Sequence, residues 1–265
     1  MYGMNRVFMH DPFFFLETVR VDNVTMEREL AGMQCITRLN NDRRGVFDFV
    51  KIRSDDLHGF DDRQTRLTFA GDAAYRIQED DPIYAYWCPF FAGSGLPGWV
   101  DIPRSAPAHQ LVLTAGMQGC AFVVTDSPDS ADHFRIYHHQ HPTSELPWAA
   151  MKKQNPKMNI ISIFSYAPES LPEEYRQYAV ASGYGNPDIA GHDVTQAFNL
   201  LAQSREGDWV YLSQSNIMTG DLTLRRDADK PILRLPTGVG TFTASASDES
   251  KSDSPMASAA SASDA

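Results

Sequence analysis

The chain has 265 residues, with 34 acidic and 23 basic side chains and a formal net charge of −11 at pH 7. This length suffices for one sizeable domain or for two small ones. Because binding to phosphate groups needs clustered Lys and Arg, the charge argues against nucleic acid and anionic membranes as partners. Proteins and small molecules remain, and nothing in the composition determines the oligomeric state.

Strands are predicted, in chain order, where β-branched and aromatic residues cluster between turn signals. These segments are 45–52, 111–113, 121–125, 133–138, 159–166, 209–212 and 222–225. Two helices are predicted in the second half of the chain. Residues 172–181 carry acidic side chains in their first turn, which favours a helix start.

The second predicted helix covers residues 193–205. Its apolar side chains fall at helical spacing and are Val194, Ala197, Phe198, Leu200 and Leu201. This spacing is typical of an amphipathic helix. Strands nevertheless outnumber helices and are interspersed with them. We therefore expect an α/β fold, a sandwich built around mixed β-sheets with flanking helices.

Residues 1–243 are expected to form a single domain. Residues 244–265 consist of Ser, Ala and Asp with almost no large apolar residue, which predicts a disordered tail. The first 20 residues lack a basic segment followed by an apolar one, so no Sec signal is expected. No apolar run reaches the roughly 20 residues that span a bilayer.

Cysteine usage indicates a reducing compartment. Cys35, Cys88 and Cys120 are odd in number, widely spaced and without a C-x-x-C pair. Neither a disulfide framework nor a structural zinc site is therefore expected. No cofactor is expected either.

A glycine-containing turn precedes Cys120. The turn, residues 115–119, contains Gly116 and Gly119, which allow positive φ and a close approach of the backbone. Cys120 leaves this turn at the first residue of a predicted strand. A cysteine in such a strand is more often inert core than a nucleophile.

A predicted hairpin brings histidines toward this cysteine. The strands 121–125 and 133–138 are joined by a short polar turn and should pair. Cys120 begins one strand and His138 ends the other, which predicts a hydrogen bond between thiol and imidazole. An unassisted thiol has a pKa of about 8.5 and needs such a partner to ionise near neutral pH.

Three histidines compete for this role. His139 should point to the opposite face from His138, because side chains alternate along a strand. His133 lies at the start of the strand, farther from Cys120. His138 is therefore preferred, with His139 second and His133 third.

The order of these residues resembles a glutamine deamidase superfamily. Thr114 lies six residues before Cys120, Gly119 directly precedes the cysteine, and Tyr137-His138 ends the following strand. This pattern is similar to the catalytic domains of cytotoxic necrotizing factors, of Burkholderia lethal factor and of chemoreceptor glutamine deamidases.

The resemblance covers residues 111–142 and departs from the family at one position. Gln118 stands where those proteins have a serine, so the group that assists the oxyanion stays open. Outside this span, Trp87 and Trp99 are candidate walls of a substrate cleft, although positions in the core explain each more simply.

The resemblance implies a cysteine-dependent glutamine amidohydrolase with a protein substrate. Cys120 would attack the carboxamide carbon of a glutamine side chain, and His138 would move the proton to the leaving ammonia. Backbone N–H groups of the turn that includes Gly116, Gln118 and Gly119 would hold the oxyanion. Thr114 would hydrogen-bond the imidazole or the substrate amide. Residues 1–243 would then be a catalytic domain.

The same resemblance implies a bacterial toxin or effector that acts in virulence on a host protein. Without a Sec signal, such a protein would be secreted by another route or delivered into a host cytosol. Otherwise a cytoplasmic location is expected.

Two alternatives stay open. Another Cys–His thiol hydrolase, such as a protease or a transglutaminase-like enzyme, would cleave a backbone or incorporate an amine, whereas a deamidase raises the substrate mass by about 1 Da. A non-catalytic protein would instead bind metal through His138, His139 and His141, since imidazole suits zinc and copper.

Overall fold

The computed structural model describes residues 3–23, 34–51, 64–70, 81–91, 95–105, 110–182, 194–218, 224–226 and 230–239. Strands dominate these residues and form two mixed sheets, with a few helices on the outer surfaces. The expected α/β sandwich is therefore confirmed.

The first sheet has nine described strands. They are β1 (Arg20–Asp22), β2 (Arg44–Lys51), β3 (Gln64–Phe69), β4 (Ile83–Cys88), β6 (Leu111–Thr114), β11 (Val194–Gln203), β12 (Trp209–Met218), β13 (Leu224–Arg226) and β14 (Leu233–Pro236). Their order is β1-β3-β2-β4-β6-β11-β12, and both β13 and β14 pair with β12. The pairs β1–β3 and β4–β6 are parallel and the others antiparallel.

The second sheet has five described strands. They are β5 (Gly98–Pro103), β7 (Ala121–Asp126), β8 (His133–His139), β9 (Ile160–Ser165) and β10 (Ala179–Ala181). Their order is β10-β9-β7-β8-β5, so β10 and β5 are the two edges. Only the β10–β9 pair is parallel.

Helices lie on both outer faces of the sandwich. They are α1 (Met4–His10), α2 (Pro12–Thr18), α3 (Gln34–Asp42), α4 (Glu145–Gln154) and α5 (Glu173–Arg176), with a 3-10 turn at Pro168–Ser170. The helices α1 to α3 pack on the first sheet, and α4 and α5 pack on the second. None of the described helices is long and apolar enough to cross a membrane.

Three apolar clusters fill this four-layer arrangement. One packs the first three helices on the first sheet and includes Phe8, Phe15, Phe49 and Leu200. A second lies between the two sheets and includes Cys88, Phe122, Ile136 and Leu201. The third packs α4 and α5 on the second sheet and includes Val123, Trp148, Ile163 and Tyr175. Burial of such apolar side chains is the main favourable contribution to folding.

The predicted helix at 193–205 is wrong, because this segment is the strand β11, paired along its whole length with β12. Its apolar side chains lie on both faces of the sheet. Phe198 and Leu200 pack under the helices, whereas Ala197 and Leu201 pack between the sheets. A strand buried on both faces has a nearly continuous apolar run, which periodicity does not distinguish from a helix.

The other predicted strands are present at their positions, with small differences at the ends. The predicted helix at 172–181 is confirmed only in its first part, because α5 ends at Arg176 and β10 begins at Ala179. The predicted tail at 244–265 lies outside the described residues, and the extent of the domain over residues 1–243 stays a prediction.

Candidate functional site

The candidate residues lie where two strands of the first sheet approach the β7–β8 hairpin of the second. The parallel pairing of β4 and β6 places Cys88 beside Thr114. In the hairpin, Phe122 lies opposite His138 and Ala121 lies opposite His139.

Thr114 and His138 contact each other directly, with 2.7 Å between Thr114 Oγ1 and His138 Nδ1. The Thr114 hydroxyl also donates to the Cys88 carbonyl oxygen at 2.8 Å. Because a hydroxyl has one hydrogen, it must accept from Nδ1–H of the imidazole. This assigns the tautomer that leaves the lone pair on Nε2, which has no hydrogen-bond partner among the described residues.

Cys120 makes no hydrogen bond with that lone pair. Its thiol donates to the Gln118 carbonyl oxygen, with 3.6 Å between the two atoms, and its side chain is buried between the sheets. Of the sequence-predicted catalytic residues, the structure therefore brings Thr114 and His138 together. The role of these residues in catalysis stays a prediction.

Cys88 is the thiol that contacts the main chain of β8. Its Sγ is 3.5 Å from the Ile136 carbonyl oxygen and also receives the backbone N–H of His138. Burial raises the pKa of the Cys88 thiol, and the nearby Arg43 offsets only part of this effect. Sequence reasoning missed Cys88 because its contact depends on a parallel pairing of distant strands, which leaves no local signal.

The turn before Cys120 has the two properties expected of its glycines. Gly119 has a φ of 71°, and a Cβ on Gly116 would lie 1.9 Å from Nε2 of Gln196. The backbone of the turn is nevertheless engaged, since Met117 exchanges both of its main-chain hydrogen bonds with Ala197 of β11. Gln118 is exposed at the tip of the turn.

His139 points to the opposite face from His138, as expected. Its ring lies 4.5 Å from the Trp148 ring, under α4. Neither ring nitrogen of His139 has a hydrogen-bond partner among the described residues. Burial lowers the pKa of His138 to about 3, and burial together with the neighbouring His138 and His141 lowers that of His139 to about 3. Both rings are thus neutral near pH 7.

This arrangement favours uncharged groups. Both the imidazole of His138 and the thiol of Cys88 have no exposed surface, and low dielectric disfavours their charged forms. A groove of about 230 Å³ lies between the α1–α2 junction and the β11–β12 turn. Neither His138 nor Cys88 lines this groove. Among the residues that the structure describes, no three His, Cys, Asp or Glu side chains are placed to hold a metal ion.

Burial of Cys88 predicts slow alkylation. In the native protein, iodoacetamide should label Cys88 roughly a hundredfold more slowly than in urea-unfolded protein, because only the thiolate reacts and it must be exposed first. Peptide mass spectrometry after timed labelling measures this rate. Similar rates for native and unfolded protein would contradict the described packing.

A polar and aromatic cluster occupies the outer face of β5 and β8. Arg135 binds Asp101 through two hydrogen bonds of 2.7 Å each and also contacts Asp129 at 2.5 Å. Its Cζ lies 3.6 Å from the centroid of the Trp99 ring, and Cζ of Arg43 lies 4.6 Å from the same centroid. Trp99 is partly exposed. Trp87, the other candidate cleft wall, is a core residue whose Nε1 donates to Asn40.

Comparison with known proteins overturns the expected family. The family model that matches describes an Mcf1 activator-binding domain and covers residues 6–148, more than half of the chain. The comparison with curated proteins found no match to this chain. The expected glutamine deamidase superfamily is therefore wrong. So are the hydrolase function and the toxin or effector role that came with it, because the matching family is described by binding and not by hydrolysis. The chain belongs to the Mcf1 activator-binding domain family.

Proposed function

We propose that this chain is a binding module that recognises a protein activator through the region of residues 6–148. The observation that carries the proposal is the family match, whose description names an activator as the bound molecule. A glutamine side chain as substrate has no part in it. The partner is recognised by its surface and leaves chemically unchanged.

The chemistry of the buried cluster formed by Thr114, His138 and Cys88 supports a binding role. His138 and Cys88 are both fully buried and held in their uncharged forms. A thiol that acts as a nucleophile needs an accessible and readily ionised site. The cluster fits instead the interior of a rigid scaffold, on which a recognition surface is displayed.

The accessible features of the matched region suit recognition of a protein. Trp99 is partly exposed on the second sheet, and the partly exposed Arg43 lies over its ring with Cζ 4.6 Å from the centroid. Trp and Arg are enriched among the residues that dominate protein interfaces. The net charge of −11 favours a basic partner surface through long-range attraction.

The test is affinity capture with the immobilised full chain, followed by titration with the purified partner. We expect one partner to bind with a dissociation constant of about 1 μM or below and a stoichiometry near one. A Lys152→Ala variant serves as the control, because Lys152 is exposed on α4, outside residues 6–148. Loss of binding in this variant, or no saturable binding by the native chain, would contradict the proposal.

A further inference from the structure

We infer that the activator is held as an added β-strand along the open edge of β5. This inference rests on the proposed function and names the surface that carries it. In such strand addition, an extended segment forms main-chain hydrogen bonds with an edge strand, and alternate side chains provide specificity.

The hydrogen-bond pattern of β8 determines which main-chain groups of β5 point outward. Arg104 donates its N–H to the carbonyl of Asp132, which lies directly opposite. In an antiparallel pair such hydrogen-bonded positions alternate with positions whose groups point away. Because the register has no shift, the even-numbered residues of β5 bond to β8. The main-chain groups of Trp99 and Asp101 therefore point away from it.

The other side of β8 gives the same assignment independently. Ser127 donates its N–H to the carbonyl of His133, directly opposite in the β7–β8 register. The odd-numbered residues of β8 therefore bond to β7, which leaves its even-numbered residues for β5. Two separate hydrogen bonds thus agree that the main-chain groups of Trp99 and Asp101 point away from β8.

This edge is open within the described part of the chain. The main-chain N–H and C=O groups of Trp99 and Asp101 have no hydrogen-bond partner there. Along β5, Trp99, Asp101 and Pro103 are partly exposed, whereas Val100 and Ile102 are buried. Pro103 offers a carbonyl but no N–H, so an added strand would end beside it.

The other sheet edges are less suitable. The edge strand β1 also lies in the matched region, but its Val21 N–H already donates to Oε1 of Gln214 at 2.8 Å. The same Gln214 donates its Nε2–H groups to the carbonyls of Leu16 and Val19. The strands β10, β13 and β14 lie outside residues 6–148.

A rigidly held aromatic side chain, that of Trp99, lies beside the open edge. The double hydrogen bond from Arg135 fixes the Asp101 side chain, and the Arg135 guanidinium supports the Trp99 ring. A preordered aromatic side chain loses little entropy on binding, which suits it to the centre of an interface. Arg43 also lies over the Trp99 ring, with its Cζ 4.6 Å from the centroid. The strand edge therefore provides hydrogen bonds, while the part of Trp99 that is still exposed provides apolar contact area.

The occupant is an extended, basic segment of the partner protein. An extended segment is required because only a strand matches the spacing of the outward groups. Basic side chains are favoured because the chain has a net charge of −11. Proline is excluded at those positions of the segment whose N–H would face β5.

The test uses a displayed library of random octapeptides selected on the full chain. Synthetic copies of the selected peptides are added, and amide hydrogen exchange of the protein is followed by NMR. The amides of Trp99 and Asp101 should exchange at least roughly tenfold more slowly in the complex. The amides of Val100 and Ile102 serve as internal controls, since they are bonded to β8 in both states. Selected sequences should be enriched in Lys and Arg.

Two variants and one modified peptide sharpen the result. Trp99→Ala should weaken peptide binding at least roughly tenfold, with its unfolding midpoint measured to separate loss of binding from loss of fold. Tyr84→Ala, at an aromatic residue exposed on the first sheet, should bind as the native chain does. N-methylation of the peptide amides that face β5 should abolish binding, and N-methylation of the other set should not.

The outcomes separate this inference from the proposed function. A library without a binder, acidic selected peptides, or unchanged exchange at Trp99 and Asp101 would overturn strand addition. If the captured partner still binds in that case, the proposed function survives and another surface carries it. If the partner also fails to bind, both are wrong.

Discussion

Lowering the pH from 7 to 5 should reduce the free energy of unfolding by about 4 kcal/mol. The cause is the pair of buried histidines, His138 and His139, which have no exposed surface and whose pKa burial lowers to about 3 from an ordinary 6.5. Below pH 6.5 the unfolded chain binds two protons that the folded chain does not accept. The contribution of these two histidines to stability is therefore fully present above pH 6.5 and is lost as the pH drops toward 3.

Each histidine contributes about 1.4 kcal/mol per pH unit within this window. His139→Phe should halve the loss between pH 7 and 5, because it removes one of the two titrating rings. It should also raise stability at pH 7 by roughly 1 kcal/mol, since both ring nitrogens of His139 lack partners among the described residues. Urea denaturation at the two pH values measures both effects.

The control for this series is Leu146→Ala, which changes an exposed side chain and removes no titratable group, so it should leave the pH dependence as in the native chain. A native protein equally stable at pH 7 and 5 would contradict the burial of His138 and His139 in neutral form. A His139→Phe variant that loses as much stability as the native chain between pH 7 and 5 would contradict it as well.

Gly98→Ala should destabilise the protein by about 3 kcal/mol. A Cβ at this position would lie 1.9 Å from the carbonyl oxygen of Pro89 and 2.6 Å from its carbonyl carbon. These are backbone atoms, so they cannot move aside as a side chain does. The end of β4 would have to separate from β5, which lies at the edge of the second sheet.

Gly95→Ala is the matched control, because nothing lies within 4 Å of a Cβ built at Gly95. Its free energy of unfolding should stay within about 0.5 kcal/mol of the native value. Guanidinium denaturation of both variants measures the difference. A Gly98→Ala protein as stable as Gly95→Ala would show that Pro89 and Gly98 are not in close approach.

The strands around the candidate site were predictable because each carries a local signal. Residues 121–125 are β-branched and aromatic between polar turns, and the short loop to 133–138 makes pairing the default. The β11 strand was not predictable by the same means. Its apolar side chains pack into two apolar clusters, one on each face of the sheet. Only the pairing with β12 shows that the segment has the two-residue period of a strand and not the period of a helix.

The site itself was predictable only in part. Thr114 and His138 are brought together because β6 and the β7–β8 hairpin face each other across the sandwich. The contact of Cys88 with the main chain of β8 depends on the parallel β4–β6 pairing of distant segments and leaves no local signal. Local spacing pointed to Cys120, whose role stays a prediction. The family assignment failed because the resemblance covered residues 111–142 alone, whereas the match to the activator-binding domain extends over residues 6–148.

Native mass spectrometry of the full chain with the captured, purified partner would show whether the chain binds an activator without altering it. It reports complex formation and covalent change in one spectrum. We expect a complex of one chain with one partner, whose mass is the sum of the two unchanged components. The absence of a complex at micromolar concentrations, or a partner made heavier by about 1 Da, would contradict it.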